Sequence, residues 1–173
     1  MDNIILIGMP GSGKSSVGVV LAKALGKDFL DVDLLIQSRE GALLQQILNE
    51  RGVEAFLDVE GDVIHSVSCS NTVIAPGGSC ICRDYAMEHL RSLGTVVYLE
   101  LSYPEVVKRI HNLDSRGIAL QPGQTLKDVY DYRVPRYERY ADLTVHADGQ
   151  SLVETIEAVK EALSRQNTTD SNL

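Results

Sequence analysis

Short apolar runs alternate with stretches of helical periodicity along most of the chain. Residues 3–7, 28–32, 72–75, 95–101 and 143–145 are rich in β-branched and aliphatic side chains, and each run predicts a strand. After the first run, Val17, Val20, Leu21, Ala24 and Leu25 recur at helical spacing, and Gly26 stands where a helix would stop. Ser102 with Glu105, and Ser151 with Glu154, have the spacing of a capping box. The second opens a last helix over about 152–164, with Val153, Ile156, Val159 and Leu163 on one stripe, and the polar residues 165–173 predict a disordered tail. Strands separated by helices imply parallel pairing with both sheet faces covered, an α/β fold.

Two stretches break this rhythm. Residues 33–71 are mostly helical, with interruptions at Gly41, Gly52 and Gly61, and are too long for one crossover helix. Residues 33–61 therefore predict a small helical subdomain that holds a substrate. In 112–124, Gly117, Pro122 and Gly123 surround the isolated Arg116, the pattern of a mobile lid over a site. At 173 residues the chain suits one domain, placed at 1–164.

The chemistry starts at Gly8-Met9-Pro10-Gly11-Ser12-Gly13-Lys14-Ser15, which matches G-x-x-x-x-G-K-[ST] between a predicted strand and a predicted helix. Such a loop wraps phosphates with backbone amides at a helix N-terminus. Here Lys14 is expected to neutralise the β and γ oxygens of a nucleoside triphosphate and Ser15 to ligate Mg²⁺. Lys14 is expected to face solvent in the empty loop. Asp31 and Asp33 follow at the C-terminal end of the second strand, spaced to share a face at the edge where open α/β sheets bind ligands. A strand-end aspartate also serves as a helix cap, but two after a phosphate loop favour metal binding and orientation of an attacking hydroxyl.

Composition narrows the partners. A formal charge of −8 speaks against nucleic acid, and no apolar run nears the ~20 residues of a membrane span. The short apolar N-terminus has no basic leader, so a cytoplasmic location is expected. Cys69, Cys80 and Cys82 lack zinc-type spacing and read as reduced thiols, with Cys80 and Cys82 as packing groups. His65, His89, His111 and His146 are scattered without ligand spacing.

The run from Gly8 through Lys14-Ser15-Ser16, with Phe29-Leu30-Asp31-Val32-Asp33, resembles shikimate kinase. The likeness continues through Gly52-Val53-Glu54-Ala55-Phe56, Glu60, Gly77-Gly78, Arg109, Arg116, and Arg133-Val134-Pro135-Arg136-Tyr137. It implies a three-layer P-loop kinase fold with a five-stranded parallel sheet, a lid and a substrate-binding segment. It also implies ATP-dependent phosphorylation of the 3-hydroxyl of shikimate, in aromatic amino acid biosynthesis, by a monomer. By the same resemblance, Gly8, Pro10, Gly11, Ser12, Gly13, Lys14, Ser15 and Ser16 bind the nucleotide, with Arg109 near the adenine. Ser15 and Asp31 serve the metal, and Asp33, Gly77, Gly78 and Arg133 serve the acceptor. Lys14, Asp33 and Arg116 carry the catalysis, Arg116 from the lid.

The departures fall on the acceptor side. Leu57 stands where the family has an arginine on the substrate carboxylate, and Ser79 stands in place of a third glycine. Arg83 and Arg136 are the replacement cations to test. A kinase for another small polyol or hydroxy acid is the first alternative. A nucleotide-binding regulator without catalysis is the second, disfavoured because a binder needs neither a base nor a lid arginine.

Overall fold

The computed structural model describes residues 3–111 and 118–170. Strands β1 (Asn3–Ile7), β2 (Asp28–Asp31), β3 (Thr72–Ala75), β4 (Gly94–Glu100) and β5 (Leu143–His146) form a parallel sheet in the order β2-β3-β1-β4-β5. The order reverses at β1, which opens a crevice at its C-terminal end. Along β1 the side chains alternate between two cores. Ile4 and Leu6 pack with Val17 and Leu21 of α1 (Lys14–Leu25) and Ile156 and Val159 of α7 (Leu152–Asp170). Ile5 and Ile7 pack on the other face with Phe56 and Ile64 of α3 (Leu44–His65), Leu90 of α4 (Asp84–Leu93) and Tyr137 of α6 (Leu126–Tyr140). Helices on both faces make the three expected layers.

Local differences from the sequence pattern have local causes. Val32, expected to end β2, opens α2 (Val32–Glu40), because the Asp31 carboxylate accepts from the amides of Asp33 and Leu34 and caps that helix. Asp33 therefore stands in a helical first turn, and the shared strand face expected for the two aspartates does not form. The buried side of α1 is Val17, Gly18, Leu21 and Ala22, centred where the Phe29 ring lies over Gly18, and Val20 and Leu25 are exposed. Val153 is likewise exposed, while Ile156 and Val159 are buried.

The Ser151–Glu154 capping box forms, with Ser151 N donating to Glu154 at 2.7 Å and Glu154 N to Ser151 Oγ at 3.2 Å. The Ser102–Glu105 box does not. Glu105 pairs with Arg109 within α5 (Tyr103–His111), and Asp148 takes the Ser102 amide at 2.8 Å. A box that the S/T-x-x-E/Q pattern misses, Thr125 with Asp128, opens α6. The expected tail does not begin at 165: α7 continues to Asp170, with Ser164 and Thr168 hydroxyls donating one turn back to Lys160 and Ser164 carbonyls.

The sheet is stapled at its lower edge by Asn3, whose amide donates to the Cys69 and Leu93 carbonyls and accepts from Thr72 N. Asn3 is paired in register with Gly94, and the two backbones approach so closely that a Cβ on Gly94 would lie 2.2 Å from the Asn3 carbonyl oxygen. Gly94→Ala must push β4 from β1 and is expected to destabilise the protein by about 1–3 kcal/mol. Urea unfolding measures this, and an unchanged midpoint would show that the strands have room there.

Candidate active site

The phosphate loop is held by its own lysine. Lys14 Nζ donates to the Gly8 and Met9 carbonyls at 2.9 Å each and to Ser12 Oγ at 3.4 Å. The residue is buried, contrary to the solvent-facing expectation, because these carbonyls turn inward at the end of β1. Burial lowers its pKa to about 8, against the opposing pull of Cys80 and Asp33. Beside it, Ser15 Oγ donates to Asp31 Oδ2 at 3.0 Å. Asp31 caps α2 through Oδ1, which accepts from the Asp33 and Leu34 amides, and accepts from the loop serine through Oδ2.

Pro10, Gly11, Gly13, Lys14, Ser15 and Ser16 line a cavity of about 420 Å³. Asp33, Gly77, Gly78 and Arg133 line the same cavity, so the phosphate loop and the expected acceptor residues meet. Gly8 and Ser12 support the loop from behind through Lys14. Burial, then the neighbouring Asp31, raises the Asp33 pKa, while Lys14 lowers it. Arg133, from α6, is buried at 3% exposure, and among the described residues it makes no ion pair and no side-chain hydrogen bond. A buried guanidinium without an anion is costly, and facing a cavity it fits a ligand that brings the charge. Two turns of α6 set this wall, because Tyr137 hydroxyl donates to the Gly78 carbonyl while its ring stacks on Tyr98.

Arg109 lies outside the cavity wall, where it pairs with Glu105 and donates to the Gly11 and Ala147 carbonyls, tying the loop to the turn after β5. Arg116 and residues 112–117 of the expected lid lie outside the described residues. The described part of that segment reaches the site: Ile118 and Ala119 line the cavity, and Gln121 donates to Glu54 of α3 at 2.9 Å.

Leu57 is buried and faces a neighbouring cavity of about 250 Å³ that also touches Arg83 and Arg133. Neither replacement cation reaches the main cavity. Arg83 is spent on Glu54 and Asp58, and Arg136 lies over the Tyr132 ring with Nη1 on the Tyr132 carbonyl. Cys80 is buried in the core, which pushes its thiol pKa well above the ordinary value.

Sequence reasoning gave no role to Glu60. It is 1% exposed on α3 and lines the cavity, with Oε2 accepting from Ser79 Oγ at 2.6 Å and Oε1 without a partner among the described residues. Burial raises its pKa to about 7. The signal was available: Phe56, Leu57, Glu60, Val63 and Ile64 form one buried stripe, so a glutamate sits at a core position of a helix.

A family model described as shikimate kinase matches residues 10–164. The shikimate kinase of Thermodesulfovibrio yellowstonii is 33% identical over 162 residues, covering 92% of this chain and 93% of that one. That of Chromohalobacter salexigens is 36% identical over 151 residues, covering 86% and 84%. Among solved structures, shikimate kinase from Acinetobacter baumannii in complex with shikimate superposes with a TM-score of 0.85 at 31% identity, over 98% of this chain and 94% of that one. A gluconokinase from Sinorhizobium meliloti, at TM-score 0.57 and 20% identity, shares the fold. Sheet order, phosphate loop, cavity and these likenesses agree, and the chain belongs to the shikimate kinase family.

Proposed function

We propose that this chain transfers the γ-phosphoryl group of ATP to the 3-hydroxyl of shikimate. The observation that carries the reading is Arg133, a buried guanidinium without an anionic partner among the described residues, in the same cavity as the phosphate loop and Asp33. Membership of the family supports ATP as donor, and the shikimate complex of the Acinetobacter baumannii enzyme supports the acceptor.

In this reading, Lys14 and the amides of residues 11–16 hold the donor phosphates at the start of α1. Ser15 and Asp31 would hold Mg²⁺, for which a hydroxyl and a carboxylate 3.0 Å apart are suitable oxygen donors. The ion supplies charge neutralisation at the β and γ oxygens. Arg133 grips the acceptor carboxylate, and Asp33 accepts the hydrogen bond of the attacking hydroxyl, orienting its lone pair and taking the proton as the new P–O bond forms, the bond from the γ-phosphorus to the bridging oxygen breaks and ADP leaves. A raised Asp33 pKa suits it to that proton. Gly77 keeps the wall thin, since a Cβ there would meet Glu60 Oε1 at 2.5 Å and Asp33 Oδ1 at 3.0 Å. Arg116 supplies positive charge to the transferring group from the lid. The enzyme acts as a cytoplasmic monomer, and none of the described helices is long and apolar enough to cross a membrane.

The direct test is ADP release with shikimate against a panel of polyols and hydroxy acids. Shikimate is expected to stimulate release most, and a better acceptor without a carboxylate would overturn the reading. Lys14→Met is expected to lower turnover by about a thousandfold, through loss of several kcal/mol of charge stabilisation. Because Lys14 also satisfies the Gly8 and Met9 carbonyls, the variant is further expected to lose about 1–3 kcal/mol of stability, read by thermal unfolding. Asp33→Asn keeps size and removes the base, so kcat should fall while ATP affinity holds. Collapse of ATP affinity in titrations of this variant would instead place Asp33 on the metal.

A further inference from the structure

A second cavity lies beside the acceptor site, and Arg133 and Ala119 form part of the wall of both. It measures about 250 Å³. Its inner surface is made by Leu57, Ala119 and Val129, all buried, with the half-buried Val53 and Cys82 beside them. Polar groups gather at the mouth and are tied to one another. Arg83 donates to one oxygen of the Glu54 carboxylate, and Gln121 donates to the other.

The Arg133 guanidinium is open to this side as well. None of its nitrogens has a hydrogen-bond partner among the described residues, yet none is fully enclosed, as the unpaired Glu60 Oε1, Tyr98 hydroxyl and Gln150 Oε1 are. Its charge acts on Lys14 and Glu60 in the main cavity. It is also first among the charges that oppose the rise burial imposes on the Cys82 thiol pKa, and Cys82 lines the side cavity and not the main one. The cation thus stands between two spaces. Leu57, shorter than arginine and uncharged, replaces the family's second cation with room and an apolar wall.

A neutral ligand in that room would leave the guanidinium unpaired, and a polar anion would leave the aliphatic wall uncovered. An anion with an apolar body satisfies both. An apolar cavity of about 150 Å³ already holds a benzene-sized molecule, so this one has space for a chain of that size with a charged head. We propose that the side cavity binds an aliphatic monocarboxylate of about six carbons, its carboxylate on Arg133 and its chain against Leu57 and Val129, in competition with the acceptor. Competition follows because one guanidinium fork serves both carboxylates. The proposal rests on the reading of Arg133 as a carboxylate site, and not on which acceptor is phosphorylated.

Calorimetric titration of hexanoate into the protein saturated with ADP tests this, with hexanamide as the neutral comparison. Hexanamide is expected to bind at least about tenfold more weakly, since it cannot form the charge-assisted pair. Leu57→Phe fills the side cavity and is expected to weaken hexanoate by about tenfold or more, while the shikimate KM stays within about twofold. Val53→Phe fills the same space from another wall and serves if Leu57→Phe fails to fold, which ADP titration checks. Added shikimate should raise the apparent hexanoate Kd in proportion to its concentration, and hexanoate should raise the shikimate KM with kcat unchanged.

No hexanoate binding to the wild type, or equal binding of hexanamide, would overturn the proposal and leave shikimate as acceptor. Equal hexanoate affinity in the wild type and the filled variants would put the ligand in the main cavity and overturn it too, as would binding that shikimate does not displace from a protein that phosphorylates shikimate. Hexanoate that binds as expected to a protein without shikimate-dependent ADP release would remove the acceptor assignment and keep the side cavity.

Discussion

Charge held out of water is the constraint on which this site depends. Lys14, Glu60 and Arg133 are all buried at the C-terminal edge of the sheet, with Asp33 close by, around one cavity. Each would be costly in an apolar interior. Their protein partners are few: two loop carbonyls and a serine for Lys14, Ser79 for Glu60, and none among the described residues for Arg133. Such an arrangement persists because the surrounding fold is strong enough to hold it. The two apolar cores on either face of the sheet supply that support, and the free valences of the charged groups are left for a ligand.

The fold positions these groups with few devices. β1 ends in the phosphate loop, and the reversal of strand order beside it leaves space for a ligand. Asp31 connects loop and acceptor side by capping α2 with one oxygen and meeting Ser15 with the other. On the far wall, Tyr137 reaches from α6 to the Gly78 carbonyl, which ties the helix that carries Arg133 to the glycine turn. Arg109 ties the loop to the turn after β5. The site is thus assembled from helix termini and strand ends, where backbone groups are available for capping and for phosphate alike.

Much of this was legible in the sequence. The five apolar runs marked all five strands, with ends shifted by a residue or so, because buried parallel strands read as continuous apolar stretches. The phosphate loop and the D-x-D after β2 marked half of the cavity. What escaped depended on side-chain competition. Glu105 had two uses, a cap or an ion pair with Arg109, and spacing alone does not rank them. Asp33 was placed on a strand because the capping strength of Asp31, which ends β2 early, was weighed against its function and not beside it. Lys14 was expected to face water because a lysine alone suggests solvent, whereas three inward oxygen atoms make burial tolerable. Glu60 was passed over although its place on an apolar stripe marked it as a buried acid.

The central claim is that Arg133 is left unpaired by the protein so that a carboxylate acceptor can complete it. Calorimetric titration of shikimate into the wild type and into Arg133→Gln, each saturated with ADP, tests this most directly. Loss of a charge-assisted, buried contact worth about 2–5 kcal/mol should weaken shikimate binding by at least thirtyfold, with ADP affinity unchanged. Equal shikimate affinity in the two proteins would contradict the claim and return Arg133 to a structural role in α6.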